Sequence, residues 1–368
     1  MPRKTRVAVV FGGRSSEHAI SCVTAGSVLA ALDRERYDVI PVGITREGRW
    51  VLAPDDPARL AITAGVLPAV EDSGAEVLLP TDPGRRDLVV LEPGSMPTAL
   101  GDVDVVFPLL HGPYGEDGTI QGLLELAGIP YVGSGVLASA ASMDKDVMKR
   151  LLSSAGMEVG EYVVLGPGEW DRDVAAATAK VSGLGWPVFV KPARGGSSIG
   201  ISKVPGPEGL EKAVREAEPW DPKVVVEAAV AGREIECGVL GGLDGAAAEA
   251  SLPAEIRVVG GHDFYDFDAK YLDDATEMDV PAGLDAETTA RVQRLAVQAF
   301  EALGCEGLAR VDFFLCPDGR LVVNELNTMP GFTPASMFPR MWAATGLDYP
   351  ALVDRLLQLA LGRSTGLR

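Results

Sequence analysis

The stretch Leu308–Gly331 reads LARVDFFLCPDGRLVVNELNTMPG. Two runs of alternating apolar residues flank Pro317-Asp318-Gly319-Arg320, a pattern that predicts a β-hairpin. Side chains two apart on a strand share a face, so Arg310, Asp312 and Phe314 fall together on the first strand. By the same rule Val323, Glu325 and Asn327 fall together on the second. With Asp318 and Gly319 at the centre of the turn, Asp312 lies opposite Glu325, and Arg310 opposite Asn327. Two carboxylates facing each other across a sheet repel unless something positive binds between them. Arg310 could serve as the counter-ion on a solvated hairpin. Alternatively, the Asp, Glu and Asn oxygens could hold a hard cation such as Mg²⁺, which keeps open positions for phosphate. The ordered set Arg-x-Asp, turn, Glu-x-Asn, then Pro330-Gly331 favours the second reading.

Other stretches supply partners for such a cation. Trp186–Lys191 reads as a strand, followed by Pro192-Ala-Arg-Gly-Gly-Ser-Ser-Ile-Gly200 and a second strand over Ile201–Val204. Strand, glycine-rich loop, strand differs from the strand-to-helix Walker arrangement, but a loop of small residues also exposes backbone N–H groups that can wrap phosphates. Lys191 stands beside this loop. Lys145 lies in the first turn of a capped amphipathic helix running from Ser142 to Gly156. A lysine there opposes the helix dipole, which hints at a role. Val224–Glu227 forms an apolar strand that enters a short linker, Ala228–Val230, with Glu234 beyond it. Such a linker between two lobes suits an adenine base, with backbone amides reading its edge and a carboxylate taking its amino group or a ribose hydroxyl.

Nearer the start, Arg6–Phe11 is a strand that turns at Gly12-Gly13 into a helix beginning near Glu17 and ending about Leu32. That corner can bind an anion or polar ligand at a helix N-terminus, although Glu17 could equally just favour the dipole. No G-x-G-x-x-G spacing is present, so a dinucleotide site is not supported. A strand over Asp104–Leu109 opens into His111-Gly-Pro-Tyr-Gly-Glu-Asp-Gly-Thr-Ile-Gln-Gly122, placing His111 at a strand end, where open α/β sheets put ligands. A long acidic loop containing Phe264–Tyr271 closes near Met278–Ala282. A loop of that length usually has a task, often closure over a site.

Composition sets the frame for these motifs. The chain has 368 residues, enough for two or three domains, and 47% hydrophobic residues is ordinary globular usage. A net charge of −19 argues against nucleic acid or an anionic membrane as partner. Cys22, Cys237, Cys305 and Cys316 form no ligand spacing and read as reduced core residues. The opening MPRKTRVAVV reads as a first strand and not a signal peptide, and no apolar run approaches the roughly 18 residues of a membrane helix. The cytoplasm is the expected location. Tyr37–Ile44 is a second strand, and Arg46–Gly101 reads as short strands and loops with no functional signal. Ala286–Leu303 has helical spacing, and a final pair of helices runs through Leu361.

The hairpin resembles the metal-binding hairpin of the ATP-grasp superfamily. Four segments in order, His111–Gly122, Lys191–Gly200, Phe264–Tyr271 and Arg310–Gly331, resemble D-alanine–D-alanine ligases in particular. The resemblance spans nearly the whole chain except roughly residues 46–101. It implies a three-domain ATP-grasp fold, α/β to α+β. An N-terminal α/β domain with a parallel sheet (1–135) precedes a central lobe with a glycine-rich lid (136–227). A C-terminal lobe with an omega loop and the metal site (228–368) completes it, and ATP lies between the last two. The implied reaction joins two D-alanines at the expense of ATP, through a D-alanyl phosphate, to supply a peptidoglycan precursor.

The resemblance also implies roles. Asp312, Glu325 and Asn327 would hold two Mg²⁺ or Mn²⁺ ions. Arg310 and the Gly331 N–H would stabilise an oxyanion. Glu17 would hold the ammonium of the first D-alanine, with His111 close by and Glu116 supporting the loop. Lys145, Lys191, Ser198 and Lys270 would contact the ATP phosphates. Glu227, Ala228, Val230 and Glu234 would bind adenosine. Ser197 and Tyr271 would join Glu17 in an active-site network, and Ser336 and Met337 would hold the second substrate. The base that takes the second amine's proton is left open between that network and phosphate. The family often has Glu where Gly195 stands here. A ligase joining D-alanine to D-lactate or D-serine is the nearest rival, and the pair Lys270-Tyr271 favours the dipeptide. A non-catalytic nucleotide-binding regulator is the rival from another class; the full set of metal ligands and lysines argues against it. The family further implies a homodimer through the N-terminal domain.

Overall fold

A computed structural model describes residues 3–63, 65–92, 94–196, 199–258 and 276–363. The first sheet is built on β1 (Thr5–Gly12), whose run of Val, Ala and Phe is buried on both faces. Burial on both faces is what a strand flanked by parallel neighbours requires. Its neighbours are β2 (Tyr37–Ile44) and β7 (Val105–Pro108), both parallel to it. Beyond β2 the sheet continues antiparallel through β3 (Trp50–Leu52), β4 (Glu76–Leu78), β5 (Asp87–Leu91) and β6 (Thr98–Asp102). The sheet is therefore mixed: parallel at β2-β1-β7 and widened by the short strands expected within residues 46–101. Helices α1 (His18–Ala31) and α2 (Thr119–Ala127) belong to this body.

Helices α3 (Val136–Met143) and α4 (Lys145–Ser154) follow. The cap of α4 is Asp144, whose carboxylate accepts from the N–H groups of Asp146 and Val147. The helix thus starts at Lys145, later than the Ser142 start expected from sequence. The second sheet is antiparallel, ordered β10 (Ser202–Val204), β9 (Val188–Pro192), β11 (Val224–Ala228), β8 (Tyr162–Leu165). Its apolar face is covered by α5 (Glu169–Arg172), α6 (Val174–Ser182) and α7 (Leu210–Ala217), with Trp170, Val181, Leu210 and Val214 in one core.

The third sheet, also antiparallel, holds β12 (Arg233–Leu240), β13 (Glu249–Ala250), β14 (Ala254–Val258), β15 (Thr276–Asp279), β16 (Leu308–Leu315) and β17 (Leu321–Asn327). Its main path runs β15-β14-β12-β16-β17. Alternate residues Ala309, Val311 and Phe313 pack with Val292, Ala296 and Ala299 of α8 (Ala286–Ala302). Ala138 of α3 and Met148 and Leu152 of α4 enter the same core, so these helices brace the third sheet. Helices α9 (Met337–Thr345) and α10 (Tyr349–Leu361) close the described chain. All four cysteines are buried and reduced, as expected. Among the described residues no helix is long and apolar enough to cross a membrane.

The first and third bodies share a single core. Val9, Phe11, Val28 and Phe107 pack with Phe332, Phe338, Leu352 and Leu356. Phe332 is fully buried, and its ring lies 6.1 Å from Phe107, 6.0 Å from Phe338 and 5.6 Å from Tyr349. At the rim, Tyr37 donates its hydroxyl proton to Asp354, Gln358 donates to the Tyr37 oxygen at 2.9 Å, and Arg36 pairs with Asp354 at 2.6 Å. Phe332→Ala should therefore destabilise the protein by about 3–5 kcal/mol, the usual range for emptying an aromatic core position. Urea denaturation measures this, and a loss below ~1 kcal/mol would mean that this cluster does not join the two bodies.

Candidate active site

A cleft of about 1550 Å³ runs between the three bodies. It brings together Glu17, His111, Lys145, Lys191, Glu227, Ala228, Val230, Glu234, Arg310, Asp312, Glu325, Asn327, Gly331, Ser336 and Met337. These are the sequence-predicted site residues that fall among the described ones. Ser197, Ser198, Lys270 and Tyr271 lie outside the described residues.

The hairpin supplies one wall. Asp312 pairs with Glu325 and Arg310 with Asn327, the register read from the sequence. Closer to the turn the register shifts: Phe313 pairs with Val323 and Leu315 with Leu321. Asn324 is thus an extra residue, a bulge, and this corrects the expected shared face of Val323 and Glu325. A bulge re-aims the side chains around it. Val323 joins the apolar core with Leu321 and Leu326, while Glu325 lines the cleft. On β16, Arg310 Nε and one NH₂ donate to the two Asp312 oxygens at 2.7 Å each. Asn327 Nδ2 donates to Asp312 Oδ2 at 3.1 Å. Arg310 Nε also lies 3.2 Å from Glu236 Oε2 on β12. Burial works against the Arg310 charge, but the charges of Asp312 and Glu236 outweigh it and hold the guanidinium firmly protonated.

Among the described residues no group of three or more His, Cys, Asp or Glu is clustered as a ready-made metal centre. Two carboxylates and an amide oxygen could hold Mg²⁺ or Mn²⁺ only with phosphate or water completing the shell. That is the donor chemistry these ions accept, since they keep several non-protein ligands. The residues present fit such an ion.

The opposite wall is basic. Glu227 on β11 is held by Lys191 Nζ at 2.6 Å and Lys149 Nζ at 3.3 Å. Burial raises the Glu227 pKa, but the two lysines overcome this and bring it down to about 2. The Glu227 carboxylate, expected to face adenosine, is here the counter-ion of the lysines. Lys149 was missed from sequence, and the signal for it was present: it lies one helical turn beyond Lys145 on α4, hence on the same face. Lys145 Nζ donates to the Gly195 carbonyl at 2.9 Å, and its backbone N–H to Ala193 O at 3.0 Å. The start of α4 is thereby stitched to the glycine-rich loop. In the linker, Ala228 N–H donates to Glu161 O at 2.9 Å, so its amide is engaged within the protein.

The third wall comes from the N-terminal body. Gly112 has φ +71°, and a Cβ there would come 2.5 Å from Glu17 Oε2. A Cβ on Gly196 would come 3.0 Å from the same oxygen. The Glu17 carboxylate therefore sits between the His111 loop and the glycine-rich loop, in space that only glycines leave. The backbone of Met329 favours the charged forms of His111 and Glu116, so this loop faces the exit of the hairpin. Burial lowers the His111 pKa against the opposing pull of Glu17. Burial, and then the Glu17 charge, push Glu116 up to about 8, so it carries its proton at neutral pH. Gly112 N–H donates to Glu116 at 2.6 Å, the supporting role expected. A Cβ on Gly331 would meet Ser336 Oγ at 3.2 Å, which puts the two expected substrate groups side by side where α9 begins.

Comparisons with known proteins agree on this architecture. The family model described as D-ala D-ala ligase N-terminus matches residues 6–134, and that described as D-ala D-ala ligase C-terminus matches residues 151–358. A D-alanine–D-alanine ligase of Streptomyces avermitilis is 62% identical over 375 residues, spanning 100% of this chain and 97% of the relative. One of Kineococcus radiotolerans is 62% identical over 373 residues, spanning 99% of each. Among solved structures, a D-Ala:D-Ser ligase of Enterococcus faecalis superposes with TM-score 0.84 at 36% identity, over 97% of this chain and 100% of the other. The D-alanine–D-alanine ligase of Coxiella burnetii gives TM-score 0.79 at 34% identity, over 97% and 94%. With both halves matched by family models and full-length relatives at this identity, the chain belongs to the D-alanine–D-alanine ligase family.

Proposed function

We propose that this protein joins two D-alanines to D-alanyl-D-alanine with cleavage of ATP to ADP and phosphate, supplying a peptidoglycan precursor. The observation that carries the reading is the convergence, in one cleft, of the Arg310–Asp312–Glu325–Asn327 wall, the Lys145–Lys149–Lys191 wall and the buried Glu17. ATP lies with its triphosphate between the two charged walls. Adenosine extends along Ala228–Val230 towards Glu234. The chain divides functionally at 135/136 and 227/228.

Glu17 holds the ammonium of the first D-alanine, and His111 lies beside the same substrate. The carboxylate of that substrate attacks the γ-phosphorus and ADP leaves, giving D-alanyl phosphate. Two Mg²⁺ or Mn²⁺ ions held by Asp312, Glu325 and Asn327 would supply charge neutralisation at the phosphates. Lys145, Lys149 and Lys191 add fixed positive charge, and in that complex they exchange part of their pairing with Glu227 for phosphate oxygens. Ser336, at the N-terminus of α9, and Met337 receive the second D-alanine. Its amine attacks the acyl carbon, phosphate departs, the amine's proton passes to the Glu17–Ser197–Tyr271 network or to phosphate, and Arg310 with the Gly331 N–H stabilises the tetrahedral oxyanion. Ser197, Ser198, Lys270 and Tyr271 complete the set through the roles their motifs imply. A cytoplasmic homodimer with no nucleic-acid partner accompanies this reading, supported by the family membership and by the net charge of −19.

The relatives at 62% identity carry the dipeptide ligase name, against 36% for the D-Ala:D-Ser ligase, which favours D-alanine as second substrate. Mass spectrometry of products formed from ATP, Mg²⁺ and D-alanine with D-serine or D-lactate in competition tests this. D-alanyl-D-alanine is expected to dominate; a mixed product, or no ADP, would overturn the proposal. Glu325→Ala should lower turnover by more than ~100-fold, beyond what outer partners of a metal site usually cost. An ADP-coupled assay reads this, and near-normal turnover would remove the metal assignment. Lys149→Met should raise KM for ATP by roughly tenfold or more, as when one partner of a buried charge pair is lost. Lys180→Met, which breaks a surface pair with Glu169 at 2.7 Å, should leave KM for ATP unchanged.

A further inference from the structure

Glu236 stands in register with Asp312 across β12 and β16, and Asp312 with Glu325 across β16 and β17. Three carboxylates therefore occupy adjacent strands in one row. Glu236 is 4% exposed and lines the cleft. Its Oε2 lies 3.2 Å from Arg310 Nε, on the side of the guanidinium that also meets Asp312.

We propose that Glu236 is the positioning residue for Arg310, a reading that rests on the proposed role of Arg310 at the oxyanion. Arg310 spends Nε and one NH₂ on Asp312 in this structure. Asp312 is also the residue that must give oxygens to the cation. A carboxylate drawn to a divalent ion holds a guanidinium less strongly, because its charge is shared. Arg310 would then be free to follow Asp312 or to swing into the phosphate site. Glu236 prevents this from a neighbouring strand. It stands on β12, a strand outside the β16–β17 hairpin that would carry the ion. A carboxylate so deeply buried is costly to keep ionised without a cationic partner, and Arg310 Nε lies 3.2 Å from its Oε2. Glu236 thus holds the guanidinium beside the acyl carbon when Asp312 turns to metal.

The test separates the two half-reactions. Positional isotope exchange in ATP, driven by D-alanine, reports reversible acyl-phosphate formation; dipeptide release reports the second step. Glu236→Gln keeps the side chain's size and removes its charge. It is expected to slow dipeptide formation by about 10–100-fold, the usual effect of losing a residue that orients a functional group, with isotope exchange and thermal midpoint unchanged. Glu236→Asp keeps the charge one methylene further back and should lose less, in the same step. Wild-type dipeptide formation in E236Q, or equal slowing of both steps, would overturn the proposal. Should E236Q fail to fold, the step-specific loss in E236D decides: a loss confined to dipeptide formation supports it, and any other pattern overturns it. Arg310→Ala run in parallel distinguishes the two levels. If R310A leaves dipeptide formation intact, the role of Arg310 itself fails. If R310A blocks that step and E236Q does not, only the assignment of Glu236 fails.

Discussion

Like charges on adjacent strands repel, and the row Glu236, Asp312, Glu325 sets three of them across the third sheet with Arg310 among them. Much of the remaining architecture serves to keep that arrangement in place. The back of the same strands is anchored by Ala309, Val311 and Phe313 against α8, and by Val323 and Leu326 beside them. Because the apolar face is fixed, the polar face cannot rotate away from the cleft. The bulge at Asn324 lets Val323 and Glu325 face opposite ways although they are two residues apart. Without it, either the core would lose Val323 or the cleft would lose Glu325.

The other two walls are joined to this one in different ways. The N-terminal body shares its core with α9 and α10, so Glu17 and His111 are held rigidly with respect to Gly331 and Ser336. Arg363 adds a clamp, donating to the Gly133 carbonyl and pairing with Glu306 at 2.9 Å. The basic wall is assembled from two bodies. Lys145 and Lys149 come from α4, which packs on the third sheet, and Lys191 and Glu227 come from the second sheet. Their meeting point is the Glu227 carboxylate, together with the hydrogen bonds from Lys145 to the glycine-rich loop. In the proposed complex, nucleotide phosphates take over contacts that those lysines now make with Glu227.

The sequence was most legible where a short period fixes geometry. Alternation in Leu308–Gly331 gave the hairpin and the facing pair Asp312–Glu325, and the order of motifs gave the members of the cleft. The bulge was not legible, since a single extra residue leaves no mark when Leu321, Val322 and Val323 are all apolar. Lys149 could have been read from its helical spacing to Lys145, but amphipathicity alone does not tell a buried lysine from a surface one. Glu236 was invisible for a different reason: its importance comes from pairing with Asp312 on β16, far along the chain, and no local pattern encodes that register. The elevated pKa of Glu116 likewise depends on burial and on the charge of Glu17, which is remote in sequence. The strands within residues 46–101 are three to five residues long, too short for periodicity to declare their pairing.

The central claim is that the cleft face of the hairpin becomes a divalent-ion site once nucleotide is present. Anomalous diffraction from crystals grown with ADP and Mn²⁺ tests it directly. The expected result is a manganese peak about 2.1 Å from oxygens of Asp312, Glu325 and Asn327, bridged to the diphosphate. A bound nucleotide whose manganese lies elsewhere, with Asp312 still wholly engaged by Arg310, would contradict it.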